Sequence, residues 1–507
     1  MSRVLSLNVI LSVMGMPWKV YPDDFNWEEV TYTINEYSSK TRTTLPVLYE
    51  YVSKHYSEPK RIITIVQDTV IAREFKPLND YNALESTVKD MYIEFLKDLG
   101  VTTKNLEVIV APGCGKFLNK GRSLSIEVDI CGAVSDFYYY LFLKLSSLLF
   151  NVVKWRDSEE LILHLDLSHG VNYMPALTRA IIPEILSIVA AYTDLRKVKL
   201  RVYNSEPVVK GVPKDNYTIH LVEEINVKEG GSYGLTPLFE GVKGKLRLFS
   251  VSGEQCIKKL TDPREIGIVI HGLSENVINE LKISSAKELN MFIGSLVNGL
   301  PLLVLKTLPS LSLEHFVEKT LGVYKELVVM NCRREGDKVF IEITRKAKMT
   351  EHVKILAKIL LVGNLIMLKI RESYSDDEGI SLEQLKDLIN NLYTWNSRLK
   401  TIIGFDYIVL EKMINAIRSI RELDGWTSPT YYSELAEQVE LITKGGCEEE
   451  LSDSSDRFER NFLQHSGLHR CVIEVNVKNR RIRYTKNLQD NIVDKIYKAA
   501  TRGLVLI

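Results

Sequence analysis

The sequence is poor in the features that announce the commonest metal, membrane and nucleotide chemistries. It has six cysteines, Cys114, Cys131, Cys256, Cys332, Cys447 and Cys471, with no Cys-x-x-Cys pair and no companion histidine at zinc spacing. That argues against a zinc centre and predicts reduced, mostly buried thiols. Neither sign of charge is in excess, because 65 basic and 65 acidic residues cancel. No global positive field therefore draws nucleic acid, and an RNA site has to be a local groove or an interface. Long apolar runs are missing too: Tyr138 to Val153 carries Lys144, and Ile355 to Leu368 carries Lys358 and Asn364, so neither makes a good membrane span. The opening Met1 to Leu11 shows no basic leader and no small-residue cleavage site and reads as a first strand. The expectation is a cytoplasmic protein without membrane contact.

Two nucleotide signatures are absent as well. Gly115-Lys116 is followed by Phe117, and Val110 stands where a Walker A loop requires its earlier glycine. The first strand lacks Gly-x-Gly-x-x-Gly, so dinucleotide redox chemistry has little support. No internal repeat or low-complexity tract stands out.

What is present is length and alternation. A chain of 507 residues exceeds one ordinary core and points to two to four domains. Residues 1 to about 210 alternate strand-like and helix-like segments, the pattern of an open α/β sheet. Strands are expected at Val4 to Met14, Arg61 to Val66, Leu106 to Ala111, Leu161 to Leu167 and Lys197 to Tyr203, with helices at Ala83 to Leu99, Asp136 to Asn151 and Met174 to Thr193. Such sheets bind ligands beyond the carboxyl ends of their strands, which selects Ser12 and Gly15, Gly113 and Lys116, and the Ser168-His169-Gly170 loop. Residues 211–260, punctuated by glycine, read as a connector. Residues 261–507 read as mainly helical, with a β-hairpin insertion near 326–345. Helices are expected at Glu351 to Arg371, Ser381 to Leu392, Phe405 to Ile420 and Thr430 to Ile442, ahead of an acidic Glu448 to Asp456 stretch.

In that second half, Arg460-Asn461-Phe462-Leu463-Gln464-His465 places a permanent cation, an amide and a titratable imidazole on one short helix. Arginine can neutralise phosphate charge and histidine can move protons near neutrality, a combination that needs no metal. At about 100° per residue, Asn461 and His465 share a stripe while Arg460 lies about 140° from His465, a geometry best used where two helices meet. His465 and His469 could also share a face as a metal pair, but no glutamate stands between them as in a zincin motif and Gly467 can end the helix first.

Leu161-Ile-Leu-His-Leu-Asp166-Leu167-Ser168-His169-Gly170 is an apolar run ending in small polar residues, a buried strand feeding a loop. The segment resembles the Asp-x-Thr-His-Gly motif that names a family of CRISPR-associated proteins, with Ser168 in place of threonine. Members of that family join a Rossmann-like CARF sensor of cyclic oligoadenylates to a C-terminal HEPN ribonuclease domain whose motif is Arg-x4-6-His. Both motifs occur here in that order.

The resemblance implies a Rossmann-like CARF domain followed by a helical HEPN domain, in a metal-independent endoribonuclease of type III CRISPR antiviral defence that has no cofactor. Its activator would be a cyclic oligoadenylate, most simply the tetra-adenylate, and its substrate single-stranded RNA, cut by 2′-hydroxyl attack to leave a 2′,3′-cyclic phosphate. Arg460 and His465 would work with the same residues of a second subunit in a homodimer, or in a higher assembly of dimers. Arg460 would stabilise the phosphorane, His465 would act as general acid or base or position the nucleophile, and Asn461 would add a hydrogen bond. Asp166, Ser168, His169 and Gly170 would form the sensor loop, with Asp166 orienting the loop or bonding a ribose rather than holding phosphate. The alternative is a non-catalytic nucleotide-sensing regulator that binds nucleic acid or a protein. A sensor that also degrades its own ligand is compatible with the first reading.

Overall fold

The computed structural model describes residues 6–19, 25–73, 80–121, 124–154, 158–171, 173–209, 214–258, 263–370, 377–420, 425–426, 451, 456–486 and 488–507. The helix expected at Thr430 to Ile442, Cys447 and most of the acidic stretch fall outside these residues. The chain forms two compact units, one of residues 1–237, 247–283 and 311–361, the other of residues 238–246, 284–310 and 362–507.

The first unit is built on strands β1 (Ser6–Val13), β2 (Val30–Ile34), β3 (Tyr37–Thr41), β4 (Arg61–Gln67), β5 (Leu106–Ala111), β8 (Glu160–Asp166), β9 (Lys197–Ser205) and β10 (Tyr217–Glu229), in the order β3-β2-β10-β9-β8-β1-β4-β5. The run β9-β8-β1-β4-β5 is parallel. In β1 every residue from Leu7 to Val13 is buried, as a parallel strand covered on both faces requires. Helices α1 (Leu45–His55) and α2 (Tyr81–Asp98) share a core with Ile10, Ile62, Val66 and Val110, whereas α3 (Val134–Val153) packs on β5 and α4 (Tyr173–Tyr192) on β1, β9 and β10. Among the described residues α4 is the helix long and apolar enough to cross a membrane. The sheet it covers explains that composition: Ile181, Ile182, Ile185 and Ile188 are fully buried.

Three expectations need correction. Residues 211–260 are not only a connector, because β10 pairs along its length with β9 and extends the first unit's sheet past residue 210. Its alternation of charged residues, exposed on the sheet's outer part, hid it from an apolar-run reading. The hairpin of Val328–Glu335 and Lys338–Arg345 is not an insertion in the helical half. Its second strand pairs in parallel with β7 (Ser125–Cys131), which pairs with β6 (Gly115–Lys120), and the four make a second sheet in the first unit. Val339, Ile341 and Ile343 join the core of α1 and α2. The cysteines are not all thiols: Cys131 and Cys256 form a disulfide with Cα atoms 5.3 Å apart, and Cys471 is also disulfide-bonded. Cys114 and Cys332 are free. A pairing across 125 residues leaves no trace in local spacing.

The second unit contains the helices Ala286–Val297, Pro301–Lys306, Leu382–Leu392, Ser397–Ile420, Arg457–Gln464 and Asp490–Ala500, with a small sheet of Ile380–Ser381, Ile473–Asn476 and Arg481–Tyr484. Capping boxes at Ser285/Glu288 and Ser381/Gln384 start two of the helices.

Candidate functional site

In the parallel run β4 and β5 lie on one side of β1, and β8 and β9 on the other, so the carboxyl ends of β1 and β8 flank the point where strand order reverses. In open α/β sheets ligands bind at such a point. Ser12 and Asp166 are register partners at those ends. Both are fully buried, and the Asp166 carboxylate accepts hydrogen bonds from Ser12 Oγ (3.0 Å), Thr44 Oγ1 (2.6 Å) and the Ser168 amide (3.0 Å). Its oxygens are spent on orienting the loop rather than turned to a ligand.

The rest of the loop is pinned from outside. Ser168 Oγ accepts from the Ser205 amide at 2.9 Å, and the Leu167 amide donates to the Tyr203 carbonyl. His169 Nε2 accepts from the Thr44 amide at 3.3 Å, which requires the tautomer with its proton on Nδ1. Burial lowers the His169 pKa against the opposing pull of Asp166, in keeping with a neutral ring. The imidazole lies parallel to the Trp27 indole, centroids 4.5 Å apart.

Gly170 has φ +121°, and a Cβ there would meet Val13 Cγ1 at 2.8 Å; a Cβ on Gly15 would stand 3.7 Å from the Gly170 Cα. The two strand-end loops thus meet through bare backbone, the use of glycine where chains must approach closely. Thr44 and Trp27 escaped the sequence reading. Thr43-Thr44 ahead of Leu45-Pro46 is a helix-start signal that could have found the first, while nothing local marks Trp27.

Gly113 and Lys116 belong to other networks. The Gly113 amide donates to Asp68 Oδ1 (2.9 Å) and its carbonyl accepts from Arg345 Nη1 (2.7 Å). Lys116 lies on β6 in the second sheet and pairs with Asp129 at 3.3 Å. Cys114 does reach the neighbourhood of the loop, since its Sγ is 3.8 Å from Tyr173 Oη at the start of α4, which also accepts from Gln67 Nε2 at the end of β4. Arg345 itself is buried and paired with Asp68, whose Oδ2 also accepts from Tyr81 Oη. Burial works against its cation, yet the surrounding Asp68, Tyr324, Tyr81 and Asp136 hold its pKa well above the ordinary guanidinium value.

In the second unit, Phe458 and Phe462 stack one turn apart and are fully buried, which anchors the Arg457–Gln464 helix by one face. Arg460 is left exposed and Asn461 half-buried. His465 caps the helix, its amide bonded to the Asn461 carbonyl; the chain then turns through Ser466 (φ 52°) and Gly467 (φ 72°), with the Gly467 amide closing on the Phe462 carbonyl. The His465 side chain is 58% exposed, and its Nδ1 lies 3.8 Å from Asp406 Oδ1 on the Ser397–Ile420 helix. Asp406 Oδ2 accepts from Ser466 Oγ at 2.5 Å. Two helices therefore meet at His465, and Asp406, absent from the sequence reading, stands beside it. His469 is buried against Phe458, its Nδ1 accepting from the Cys471 amide. Among the described residues no three His, Cys, Asp or Glu side chains converge as metal ligands.

A parallel sheet covered by helices, with Gly15 and Gly170 at its reversal point, is a Rossmann-like arrangement, and the comparisons make this specific. Residues 9–207 match the family described as the CARF domain of the CRISPR system endoribonuclease Csx1. The chain is also 28% identical over 494 residues, 94% of its own length and 91% of the relative's, to the CRISPR system endoribonuclease Csx1 of Methanocaldococcus jannaschii. Both likenesses are to CRISPR system endoribonucleases of the Csx1 kind, the first over residues 9–207 and the second over nearly the whole chain.

Proposed function

We propose that this protein is a metal-independent endoribonuclease of single-stranded RNA in type III CRISPR antiviral defence, silent until a cyclic oligoadenylate occupies the β1/β8 crevice. The observation that carries the catalytic reading is the end of the Arg457–Gln464 helix, where Arg460 and His465 are both exposed and the Asp406 carboxylate addresses the imidazole at 3.8 Å. The endoribonuclease name of the full-length relative supports it.

In this reading a ribose 2′-hydroxyl attacks the adjacent phosphorus. The P–O5′ bond breaks, leaving a 2′,3′-cyclic phosphate and a 5′-hydroxyl. Arg460 offsets charge on the phosphorane, His465 moves a proton to or from the reacting oxygens, Asp406 holds the ring through its Nδ1 side, and Asn461 adds a hydrogen bond. Proton transfer is worth about 10²- to 10⁴-fold, and a preorganised charge donor about 10²- to 10³-fold. The second subunit of a homodimer supplies the facing residues, and a two-fold cleft between CARF domains suits a ring of matching symmetry such as cyclic tetra-adenylate.

The test is RNA cleavage in excess EDTA, with and without cyclic oligoadenylates of three to six nucleotides. The expected result is activator-dependent cutting that leaves cyclic phosphate ends and spares DNA, by a protein that light scattering finds dimeric. Full activity without activator, or an absolute need for a divalent ion, overturns the proposal.

A further inference from the structure

The walls of the crevice are ill suited to phosphate. Asp166 brings a buried carboxylate, burial lowers the His169 pKa, and Gly15 and Gly170 face each other without side chains. They suit a flat, uncharged ring. Trp27 comes from the segment between β1 and β2 and lies over this point: its Cζ2 would be 3.7 Å from a Cβ on Gly15, and its ring stacks on His169 with planes 21° apart. Tyr32 meets the same imidazole edge-on at 6.2 Å. Trp27 is fixed through its backbone, the carbonyl accepting from Arg42 Nη1 at 3.0 Å, while Arg42 pairs with Glu29 and covers the Phe25 ring. The indole is only half-buried, although it is among the side chains with most to gain from burial.

We propose that Trp27 is the base-stacking residue of the crevice, receiving an adenine ring of the cyclic oligoadenylate on the indole–imidazole pair. The inference rests on the sensor reading above and deepens it. With Nε2 engaged by the Thr44 amide, the His169 ring is held against the indole and completes the stacking face. Affinity for the activator then depends on base faces and on a neutral His169 more than on cations at this point. Base–aromatic stacking is lost on substitution by alanine at a cost that weakens binding roughly 5- to 150-fold per base.

The experiment uses the full-length dimer and cyclic tetra-adenylate. Binding is measured by calorimetry for wild type, Trp27→Ala and Trp27→Phe, together with the activator concentration that gives half-maximal cleavage and the tryptophan emission during titration. Trp27→Ala should bind at least 5-fold more weakly and need correspondingly more activator. Trp27→Phe, which keeps a π face, should recover most of the affinity, and part of the wild-type fluorescence quench should vanish in it. Wild-type-like affinity in Trp27→Ala overturns the inference while leaving the sensor reading intact. So does a loss in Trp27→Phe as large as in Trp27→Ala with a matching fall in thermal midpoint, since that marks Trp27 as packing alone. If the wild type binds no cyclic oligoadenylate of three to six nucleotides, the sensor reading fails and this inference with it.

Discussion

Asp406 and His465 stand on different helices of the second unit with carboxylate and imidazole 3.8 Å apart, and the same carboxylate accepts from the hydroxyl of Ser466 one residue on. A single acidic side chain thus holds the turn that ends the helix and stands within ion-pair range of the imidazole. In the proposed reaction that contact gives Asp406 a positioning role, unlike the direct roles proposed for Arg460 and His465.

Replacing either exposed residue should remove chemistry and little else. Arg460→Ala and His465→Ala are expected to lower cleavage at least 100-fold, with thermal midpoints within a few degrees of wild type. Asp406→Asn, which keeps an acceptor for Ser466, should lower the single-turnover cleavage rate about 10-fold, the smaller loss reflecting a positioning role. Wild-type rates in Arg460→Ala or His465→Ala would remove the catalytic assignment.

The loop should separate affinity from architecture. Ser168→Ala with His169→Ala is expected to weaken activator binding while excess activator restores cleavage. Asp166→Ala should instead destabilise the first unit by about 3 kcal/mol or more, because two buried donors and one half-buried donor lose their acceptor. Calorimetric titration and chemical denaturation distinguish the two outcomes. An Asp166→Ala variant of full stability and reduced affinity would make Asp166 a ligand group.

Arg345 and Asp68 offer a double-mutant cycle. Arg345→Met leaves a buried carboxylate without its cation and should cost about 3–5 kcal/mol. Adding Asp68→Asn should return part of that loss, because the orphaned charge is gone. Additive losses in urea denaturation would contradict a coupled pair.

Stability should fall in acid partly through His164. The ring is fully buried between Asn8 and Tyr203, and burial pushes its pKa down to about 3. The folded value lies below the unfolded value of about 6.5, so the neutral ring's contribution is complete above pH 6.5 and is lost as pH falls toward 3. The difference amounts to on the order of 5 kcal/mol, of which about 3 kcal/mol is gone by pH 4.5. His164→Gln should show a much smaller drop in thermal midpoint between pH 7.5 and pH 4.5 than wild type. Parallel drops would assign the acid sensitivity elsewhere.

How much was legible followed from how local each signal is. Arg61–Gln67 and the other central strands announce themselves because burial on both faces turns them into continuous apolar runs. Ser125–Cys131 alternates polar and apolar side chains faithfully, so it could have been read as a half-buried strand, but its partner lies in the hairpin that seemed to belong to the helical half. Asp166 was readable as a loop-orienting group because an acid at a strand end suits phosphate poorly. Asp406 was not, because a single acidic residue on a long helix looks like any solvated one until the turn at Ser466 is placed beside it.

The parallel pairing of β7 with Lys338–Arg345 also sets a timetable for synthesis. When β7 leaves the ribosome its partner is still about 200 residues away, so at about 5–20 residues per second that edge waits roughly 10 to 40 s for the strand that covers it. During that interval Ile126, Val128 and Ile130, all buried in the finished core, have no neighbour on that side. The nascent sensor is therefore exposed to chaperones and to stray strand pairing for longer than its α/β order suggests, and a message truncated before residue 345 would yield a sheet with an open seam.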